Sequence, residues 1–220
     1  MSMTIPQGVP IDALRAAARA CQGCELHAAQ PGSLSAPTQT VFSKGNPAGR
    51  VVFVGEQPGD MEDRAGAPFV GPAGQLFDRA IAEAGIDPRQ AYVTNSVKHF
   101  RFIQDRPGGR RIHKTPDAQH VEACRPWLRA ELAIVDPEVI VALGATAGRA
   151  LIGPQFRVTR DRGRVMLWPP AGETPADPSR RRAVSLVATS HPSAVLRADN
   201  QEVAYKELVD DLRLVARLLG

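Results

Sequence analysis

The sequence predicts an α/β protein in which helices cover both faces of a mostly parallel sheet. Three observations lead to this fold class. Apolar runs of strand length alternate with segments of helical periodicity, the runs are continuously apolar, and two of them close on a glycine. Continuous apolar runs indicate strands that are buried on both faces, which requires a layer of helices on each side. We therefore expect a three-layer α/β/α sandwich.

The first half of the chain is expected to contain two helices and two strands. Ile11–Cys21 is rich in alanine, and Gly74–Ala84 carries a stripe of apolar side chains that ends at Gly85. Arg50–Val54 and Ala91–Val97 are short apolar runs, which predict strands.

The second half begins with a helix whose start is marked by two residues. Thr115 can cap a helix and Pro116 suits its first turn, whereas Pro126 is expected to kink or interrupt the same helix. The remaining expected elements are the helices Ala145–Leu151 and Gln201–Leu219 and the strands Val139–Leu143, Val165–Trp168 and Ala183–Ala188. Ligands of such sheets bind at the carboxyl ends of the strands, so the loops there hold the candidate site.

The size and the cysteine content of the chain limit its class. Its 220 residues fit one domain, residues 1–220, with residues 1–10 as a flexible N-terminus. These first ten residues lack the basic and apolar regions of a signal peptide, and no stretch has the length of a membrane span. Three cysteines, an odd number, argue against a secreted disulfide framework. We expect a monomer in the reducing cytoplasm, with no membrane partner.

The net charge of +4 fits a polyanionic partner, and the positions of the cations are more informative than their sum. They crowd into two short stretches, Arg101, Arg106, Arg110, Arg111 and Lys114 in the first and Arg157, Arg160, Arg162 and Arg164 in the second. Each stretch is either a solvated loop or a surface for phosphate contacts.

The loop after the first expected strand is acidic. It reads Gly55-Glu56-Gln57-Pro58-Gly59-Asp60, lacks the G-x-G-x-x-G pattern of dinucleotide-binding loops, and is followed by Glu62 and Asp63. Carboxylates at the end of a strand indicate a general base or an electrostatic group. The alternative is an acidic turn at the surface.

Other candidate residues lie in later loops. Phe69 is either a platform for stacking a base or a core aromatic that folds back. Asn95, in the second strand, can present a donor and an acceptor to a nucleobase. His113 lies among cations, which would keep its imidazole neutral and nucleophilic unless it is simply solvated. His191 precedes Pro192 at a strand end, where it can donate to a leaving group or only begin a turn.

The three cysteines form the last motif. Cys21 and Cys24 are a C-x-x-C pair, and Cys124 lies far downstream. Tetrahedral zinc and most iron–sulfur clusters take four protein ligands, so this set indicates a metal site with one further ligand.

Together these segments resemble the uracil-DNA glycosylase superfamily from about Cys21 to the C-terminal helix. Gly55-Glu56-Gln57-Pro58-Gly59 is similar to the first motif of that superfamily, and His191-Pro192-Ser193 is similar to the second. Phe69 and Asn95 fall where the superfamily stacks on uracil and reads it. The resemblance implies a central, mostly parallel four-stranded sheet and uracil in DNA as the substrate.

Three features are similar to the UdgX branch of the superfamily. They are Gln57 in the first motif, the segment Val97-Lys98-His99-Phe100 and the insertion Arg110-Arg111-Ile112-His113. The branch motif begins with a lysine where this chain has Gly109. The resemblance implies that uracil is excised and that His113 then forms a stable covalent adduct with the abasic site.

The resemblance also implies roles for single residues. His113 is the nucleophile, Glu56 takes up its proton, and His191 stabilises the departing uracil anion. The supporting catalytic residues implied are Asp60 and Asp63, which hold the loop geometry, and the substrate-binding residues implied are Gly55, Gln57, Phe69, Asn95, Arg111, Ser193 and Arg197. Arg111 would also pin the loop that carries His113.

For the metal site, the resemblance implies a 4Fe-4S cluster held by Cys21, Cys24, His99 and Cys124. His99 falls at the position of the family's fourth cysteine. His120 lies four residues before Cys124 on the same helical face and competes for this role. A zinc site with the same ligand count is the alternative. The expected role of the cluster is structural, since it would bring the N-terminal helix to the DNA-binding face.

The expected partner is uracil-containing DNA, with single strands preferred because a base is flipped from them at the least cost. Two alternatives remain open. The protein is an ordinary turnover glycosylase in which His113 only contacts phosphate, or it binds uracil or single-stranded DNA and breaks no bond.

Overall fold

The computed structural model describes residues 5–28, 37–104, 106, 108–170 and 184–220. Its strands are β1 Ser43–Gly45, β2 Val51–Gly55, β3 Ala91–Asn95, β4 Phe102–Ile103, β5 Ile112–His113, β6 Val139–Leu143, β7 Val165–Trp168 and β8 Val184–Thr189. Its helices are α1 Ile11–Ala18, α2 Asp60–Ala65, α3 Pro72–Glu83, α4 Ala118–Val135, α5 Gly144–Ile152, α6 Val158–Asp161, α7 Pro192–Val195 and α8 Gln201–Leu219.

The central sheet has six strands in the order β1-β3-β2-β6-β8-β7. The four inner strands are parallel, with Val52 of β2 opposite Tyr92 of β3 and Ile140 of β6. The expected parallel sheet of four strands is therefore confirmed as its centre. The strand count is corrected to six, because β1 and β7 add antiparallel edges on either side.

The side chains of β2 divide the core into two halves, as the two-residue period of a strand requires. Val52 and Val54 pack with α1, α4 and α5 on one face, whereas Val51 and Phe53 pack with α3 and α8 on the other. Both faces of the sheet are thus covered by helices, and the three-layer α/β/α architecture is confirmed.

Several boundaries differ from the expected ones. Helix α4 begins at Ala118 rather than at Thr115, because Asp117 is the residue that caps it. Pro126 does not interrupt α4, which runs unbroken to Val135. Pro126 lies on the exposed side of the helix, where water can bind the carbonyl that lacks a donor. Ala183, the expected first residue of the last strand, lies outside the described residues.

A small separate ribbon, β4 paired with β5, was not expected from the sequence. Phe102 is opposite His113, and Ile103 is opposite Ile112. Two-residue strands are too short to give a periodic signal, so only tertiary pairing shows them. Within the described part of the chain, no helix is both long and apolar enough to cross a membrane.

Candidate active site

A cleft with a volume of about 790 Å³ opens at the carboxyl ends of the parallel strands. Of the predicted site residues, its lining contains Glu56, Gln57, Asp60, Phe69, Asn95, His113, His191, Ser193 and Arg197. Gly55 lies against Asn95 and Phe69 of this lining, and Arg111 pairs with Asp60 of the lining and with Asp63. The four parallel strands end at one edge of the sheet, which explains how residues from distant parts of the sequence meet here.

One wall of the cleft carries a histidine–carboxylate pair. Nε2 of His113, at the end of β5, lies 3.2 Å from Oε1 of Glu56, which follows β2. Burial would raise the pKa of Glu56, but hydrogen bonds from His113 and Thr146 and the nearby His191 outweigh it, so the pKa is lowered. Glu56 is therefore an ionised carboxylate that accepts a hydrogen bond from the imidazole. Thr146, on α5, has no sequence signal that would have predicted this contact.

A second wall of the cleft carries His191, which lies two residues after the carboxyl end of β8. Its Nδ1 accepts the backbone N–H of Ser193 at 3.1 Å and lies 2.8 Å from the Ser193 hydroxyl. Burial lowers the pKa of His191 to about 4, although Glu56 opposes this shift. The ring is thus neutral at physiological pH, and because Nδ1 is an acceptor its proton lies on Nε2. A neutral N–H donor remains for a ligand.

The floor of the cleft is built by Asn95, Gly55 and Phe69. Asn95 is 1 % exposed, and among the described residues its Oδ1 has no hydrogen-bond partner. A Cβ on Gly55 would lie 2.3 Å from that oxygen and 2.8 Å from the ring of Phe69. Only glycine permits this close approach. The floor therefore offers an unused acceptor beside an aromatic ring, which suits a planar base with an N–H group.

The loop of Phe69 is held by Glu62, which belongs to the predicted acidic loop, and by Lys44, which the sequence did not reveal as a site residue. Phe69 has a φ of +55°, which is unusual for a bulky residue. Its N–H donates to Oε1 of Glu62 at 3.0 Å, and its carbonyl accepts from Nζ of Lys44 at 2.9 Å. The ring packs 5.2 Å from that of Phe77 and 5.9 Å from that of His191. Phe69 thus belongs both to the core and to the cleft.

Arg111 fastens the ribbon to α2. Its guanidinium donates to the carboxylates of Asp60 and Asp63, and its side chain is 8 % exposed. It also lies about 5 Å from the rings of Phe100 and Phe102. This geometry fits the expected pinning of the His113 loop. It does not fit the expected substrate contact, because both acceptors are in the protein and the guanidinium does not line the cleft.

Gln57 requires a correction. It was expected to recognise the base, but its amide is used within the protein. Nε2 donates to the carbonyls of Arg101 and Lys114, and Oε1 accepts the N–H of Arg101 at 3.0 Å. Arg101 precedes β4 and Lys114 follows β5. Gln57 therefore ties together the two strands of the ribbon that positions His113.

The two basic stretches behave differently. In the first stretch, Arg110 is exposed and lines the cleft, where it can meet phosphates, as can Arg197, which lies outside both stretches. In the second stretch, Arg160 pairs with Asp161, and Arg162 pairs with Asp211 and Glu207 of α8. Much of this second stretch serves internal contacts.

Comparison with known proteins identifies the family of the chain. The sequence model of the uracil DNA glycosylase superfamily matches residues 42–213. The chain is 35 % identical over 184 residues to the type-4 uracil-DNA glycosylase of Thermotoga maritima, covering 83 % of this chain and 81 % of the relative. Type-4 uracil-DNA glycosylases of Pyrobaculum aerophilum and Archaeoglobus fulgidus are 35 % and 31 % identical, over 80 % and 91 % of this chain and 80 % and 88 % of the relatives.

The chain belongs to the uracil-DNA glycosylase superfamily. In this superfamily member the cysteines lie on the side of the sheet that carries α1 and α4. None of the three forms a disulfide, and Cys24 and Cys124 pack in one small cluster with Leu26 and Val97. Cys21 lines a neighbouring cavity of about 380 Å³ together with His27 and His99.

The environment of the histidines distinguishes the candidates for a fourth ligand. His120 uses both ring nitrogens, since Nδ1 accepts the N–H of Asp117 at 2.9 Å and Nε2 lies 2.7 Å from Glu25. His99 shares the cavity of Cys21, with its Nε2 3.2 Å from the hydroxyl of Thr40. The geometry favours His99 over His120.

The spacing of these donors also bears on the kind of metal group. In the part of the chain that the structure describes, no three His, Cys, Asp or Glu side chains converge as the ligands of one ion do. The ligands of a four-iron cluster bind different irons and so lie farther apart than those of a zinc ion. Among the described residues, Cys21 and His99 line one cavity, and Cys24 and Cys124 pack in one apolar cluster.

Proposed function

We propose that this protein excises uracil from DNA and then becomes covalently attached to the abasic site through His113. One observation carries the proposal. The His113–Glu56 pair faces the same cleft as Asn95 and His191, so a nucleophile stands where a base and its sugar would bind. The relatives named as type-4 uracil-DNA glycosylases support uracil in DNA as the substrate. The protein would thus act as a hydrolase in DNA repair.

Recognition of uracil follows from the floor of the cleft. Uracil carries an N–H group between two carbonyls, and the unused Oδ1 of Asn95 can accept from that N–H. Phe69 offers a ring for stacking, and the N–H of His191 can donate to a uracil carbonyl. The base must leave the stack to enter the cleft, at a cost of a few kcal/mol that is least in single-stranded DNA. Single strands are therefore the proposed preferred substrate.

Cleavage separates charge between the base and the sugar. The electron pair of the glycosidic bond passes to uracil, which leaves as an anion, and the sugar carbon becomes positive. A neutral donor that is already oriented, as Nε2–H of His191 is, stabilises the anion without reorganisation. In the proposed complex the carboxylate of Glu56 would face the sugar, where it would stabilise the positive charge that develops.

Capture of the sugar follows from proximity. A nitrogen of His113 forms a bond to the positive sugar carbon, and the proton of the resulting imidazolium passes to Glu56. An imidazole held within the cleft has a high effective concentration, so it reacts before water does. Imidazole is a poor leaving group from such a carbon without acid assistance, and the adduct persists.

Cys21, Cys24, Cys124 and His99 are the proposed ligands of a 4Fe-4S cluster. When bound, the cluster would supply a cross-link rather than a reaction step. It would join the segment after α1 to α4 and to the chain that follows β3. A purified protein with broad visible absorbance and bound iron agrees with this assignment, whereas a colourless protein with stoichiometric zinc contradicts it.

The experiment for the main proposal mixes the protein with a single-stranded oligonucleotide that contains one uracil. The products are boiled and run on a denaturing gel. A slow band that contains both protein and DNA, and that is lost in His113→Ala, is the expected result. Free abasic DNA with many turnovers would instead establish the second candidate, an ordinary glycosylase, which the type-4 relatives favour. An unchanged oligonucleotide would refute both.

A further inference from the structure

A buried ion pair lies directly beneath the floor of the cleft. Lys98 follows β3, and its side chain is 2 % exposed, whereas that of Glu131 on α4 is fully buried. Nζ of Lys98 donates to the hydroxyl of Thr94 at 2.6 Å, to the backbone carbonyl of Asn95 at 2.9 Å and to the carboxylate of Glu131. All three protons of the ammonium group are therefore used within the protein.

Glu131, on α4, also accepts hydrogen bonds from residues other than Lys98. Its Oε1 accepts from the hydroxyl of Tyr92 at 2.8 Å and lies 2.9 Å from the hydroxyl of Thr94. The ammonium group of Lys98 also lies 5.0 Å from the centre of the Phe42 ring. Taking two charges out of water is costly, and a buried pair is often no more stabilising than apolar residues of the same volume. A contribution to stability therefore does not by itself account for the pair.

The contacts indicate that the pair fixes the backbone conformation of the segment that begins at Asn95. After Asn95 the chain leaves the sheet, and the N–H groups of Ser96 and Val97 donate to the carbonyls of Gly55 and Glu56. Lys98 fixes the carbonyl of Asn95 from below. The direction of the Asn95 side chain is thus determined from both sides, and its Oδ1 remains the unpaired acceptor of the cleft.

Lys98 also contacts one of the three cysteines. The backbone N–H of Lys98 donates to the thiol of Cys124, and its carbonyl accepts the N–H of Val41 at 2.8 Å. Cys124 and Glu131 are seven residues apart on α4, which places them on one face of that helix. Lys98 therefore joins α4 to the backbone of the residue that reads the base.

We propose that Lys98 and Glu131 are positioning residues for Asn95, and that they hold its amide in the orientation that accepts uracil. This proposal rests on the proposed function. Neither residue contacts the substrate, so both act through the backbone of Asn95.

The test separates positioning from stability by replacing the whole pair. In Lys98→Met with Glu131→Leu no unpaired charge remains, and Tyr92 and Thr94 keep partners in Ser43 and the carbonyl of Phe42. We expect a thermal midpoint close to that of the wild type, with a maximal rate of uracil release at least about tenfold lower. In the Asn95→Ala background the same pair of changes should add less than about twofold, since neighbouring effects through one group are not additive.

A matched control uses another ion pair at the opposite end of the same sheet. Arg50 and Glu138 precede β2 and β6 and form two hydrogen bonds of 2.9 Å. Arg50→Met with Glu138→Leu should release uracil at the wild-type rate. If the Lys98 and Glu131 double variant does not fold, Glu131→Gln replaces it, because the amide keeps the shape and only loosens the hold on Lys98.

The outcomes distinguish the two proposals. Wild-type rates of uracil release in the folded double variant, or in Glu131→Gln, would overturn the positioning role. A wild-type protein that releases no uracil would refute the proposed function itself.

Discussion

His191 and His113 face the same cleft from supports of different kinds. His191 lies two residues after the central strand β8, its Nδ1 is held by the backbone of Ser193, and burial lowers its pKa to about 4. His113 ends a two-residue strand of a separate ribbon, and its side chain is 47 % exposed. The wall that would receive the departing base is part of the sheet, whereas the wall that would capture the sugar is attached to it.

The attachment of the capturing wall depends on polar side chains. Gln57 ties the two strands of the ribbon together, and Arg111 fastens the ribbon to the carboxylates of Asp60 and Asp63. Because the two histidines have different supports, we expect that substitutions can separate the excision of uracil from the capture of the sugar. Changes to the wall that carries His191 should impair both steps equally, and changes to the ribbon should impair capture more than excision.

The largest expected effect is the complete loss of the adduct in His113→Ala. Water then captures the sugar, and free abasic DNA accumulates while uracil is released within about tenfold of the wild-type rate. A denaturing gel measures the adduct, and chromatography measures the free uracil. A variant that loses uracil release together with the adduct would show that the two walls are not separable.

A large effect is also expected on the other wall. His191→Ala removes a preorganised donor for the uracil anion, so uracil release should fall by about 100-fold to 1,000-fold, and the adduct should form at the same reduced rate. Single-turnover assays with excess protein check both rates. Equal loss in the two assays is required, because the adduct cannot form before the base leaves.

An intermediate effect is expected for the Arg111 clamp, which is the set of ion pairs that Arg111 forms with Asp60 and Asp63. Arg111→Met leaves Asp63 buried without its cation and frees the ribbon, so adduct formation should slow by about tenfold or more, with a smaller change in uracil release. Arg64→Met is the matched control, since Arg64 also pairs with Asp60 but its side chain is 67 % exposed. Similar slowing in both variants would speak against a specific role of the Arg111 clamp.

The smallest expected effect is that of pH. The pKa of His191 is lowered to about 4, mainly by burial, so the ring stays neutral down to mildly acidic pH whether or not His113 is present. The active form of His191 is lost only as the pH falls through this low value. Uracil release by His113→Ala should therefore be level between about pH 5.5 and 8. An inflection near the ordinary histidine value of about 6.5 would contradict the neutral, buried His191.

The sequence was sufficient to predict the helices, strands and loops whose residue patterns are local. The continuous apolar strands, the long amphipathic α8 and the loops at strand ends follow from residue patterns, and the motif residues Glu56, Asn95, His113 and His191 meet in one cleft as expected. The first motif could not reveal that the Gln57 amide is consumed by Arg101 and Lys114, because that depends on how a distant segment folds back.

The residues that support the site could not be predicted from the sequence for the same reason. Lys44 and Thr146 reach the site from an edge strand and from a helix that carry no motif. Glu131 is read from the sequence only as one charge on a long helix, and its partner Lys98 is 33 positions away. Such contacts depend on three-dimensional packing and leave no periodic pattern.

The most direct test of the central claim is to identify the residue that carries the DNA. The wild-type protein is allowed to react with a uracil-containing oligonucleotide, the DNA is digested to the sugar remnant, and the protein is cleaved and analysed by mass spectrometry. The structure predicts a single modified peptide with the remnant on His113. A remnant on another residue, or an active protein with no modified peptide, would contradict covalent capture by His113.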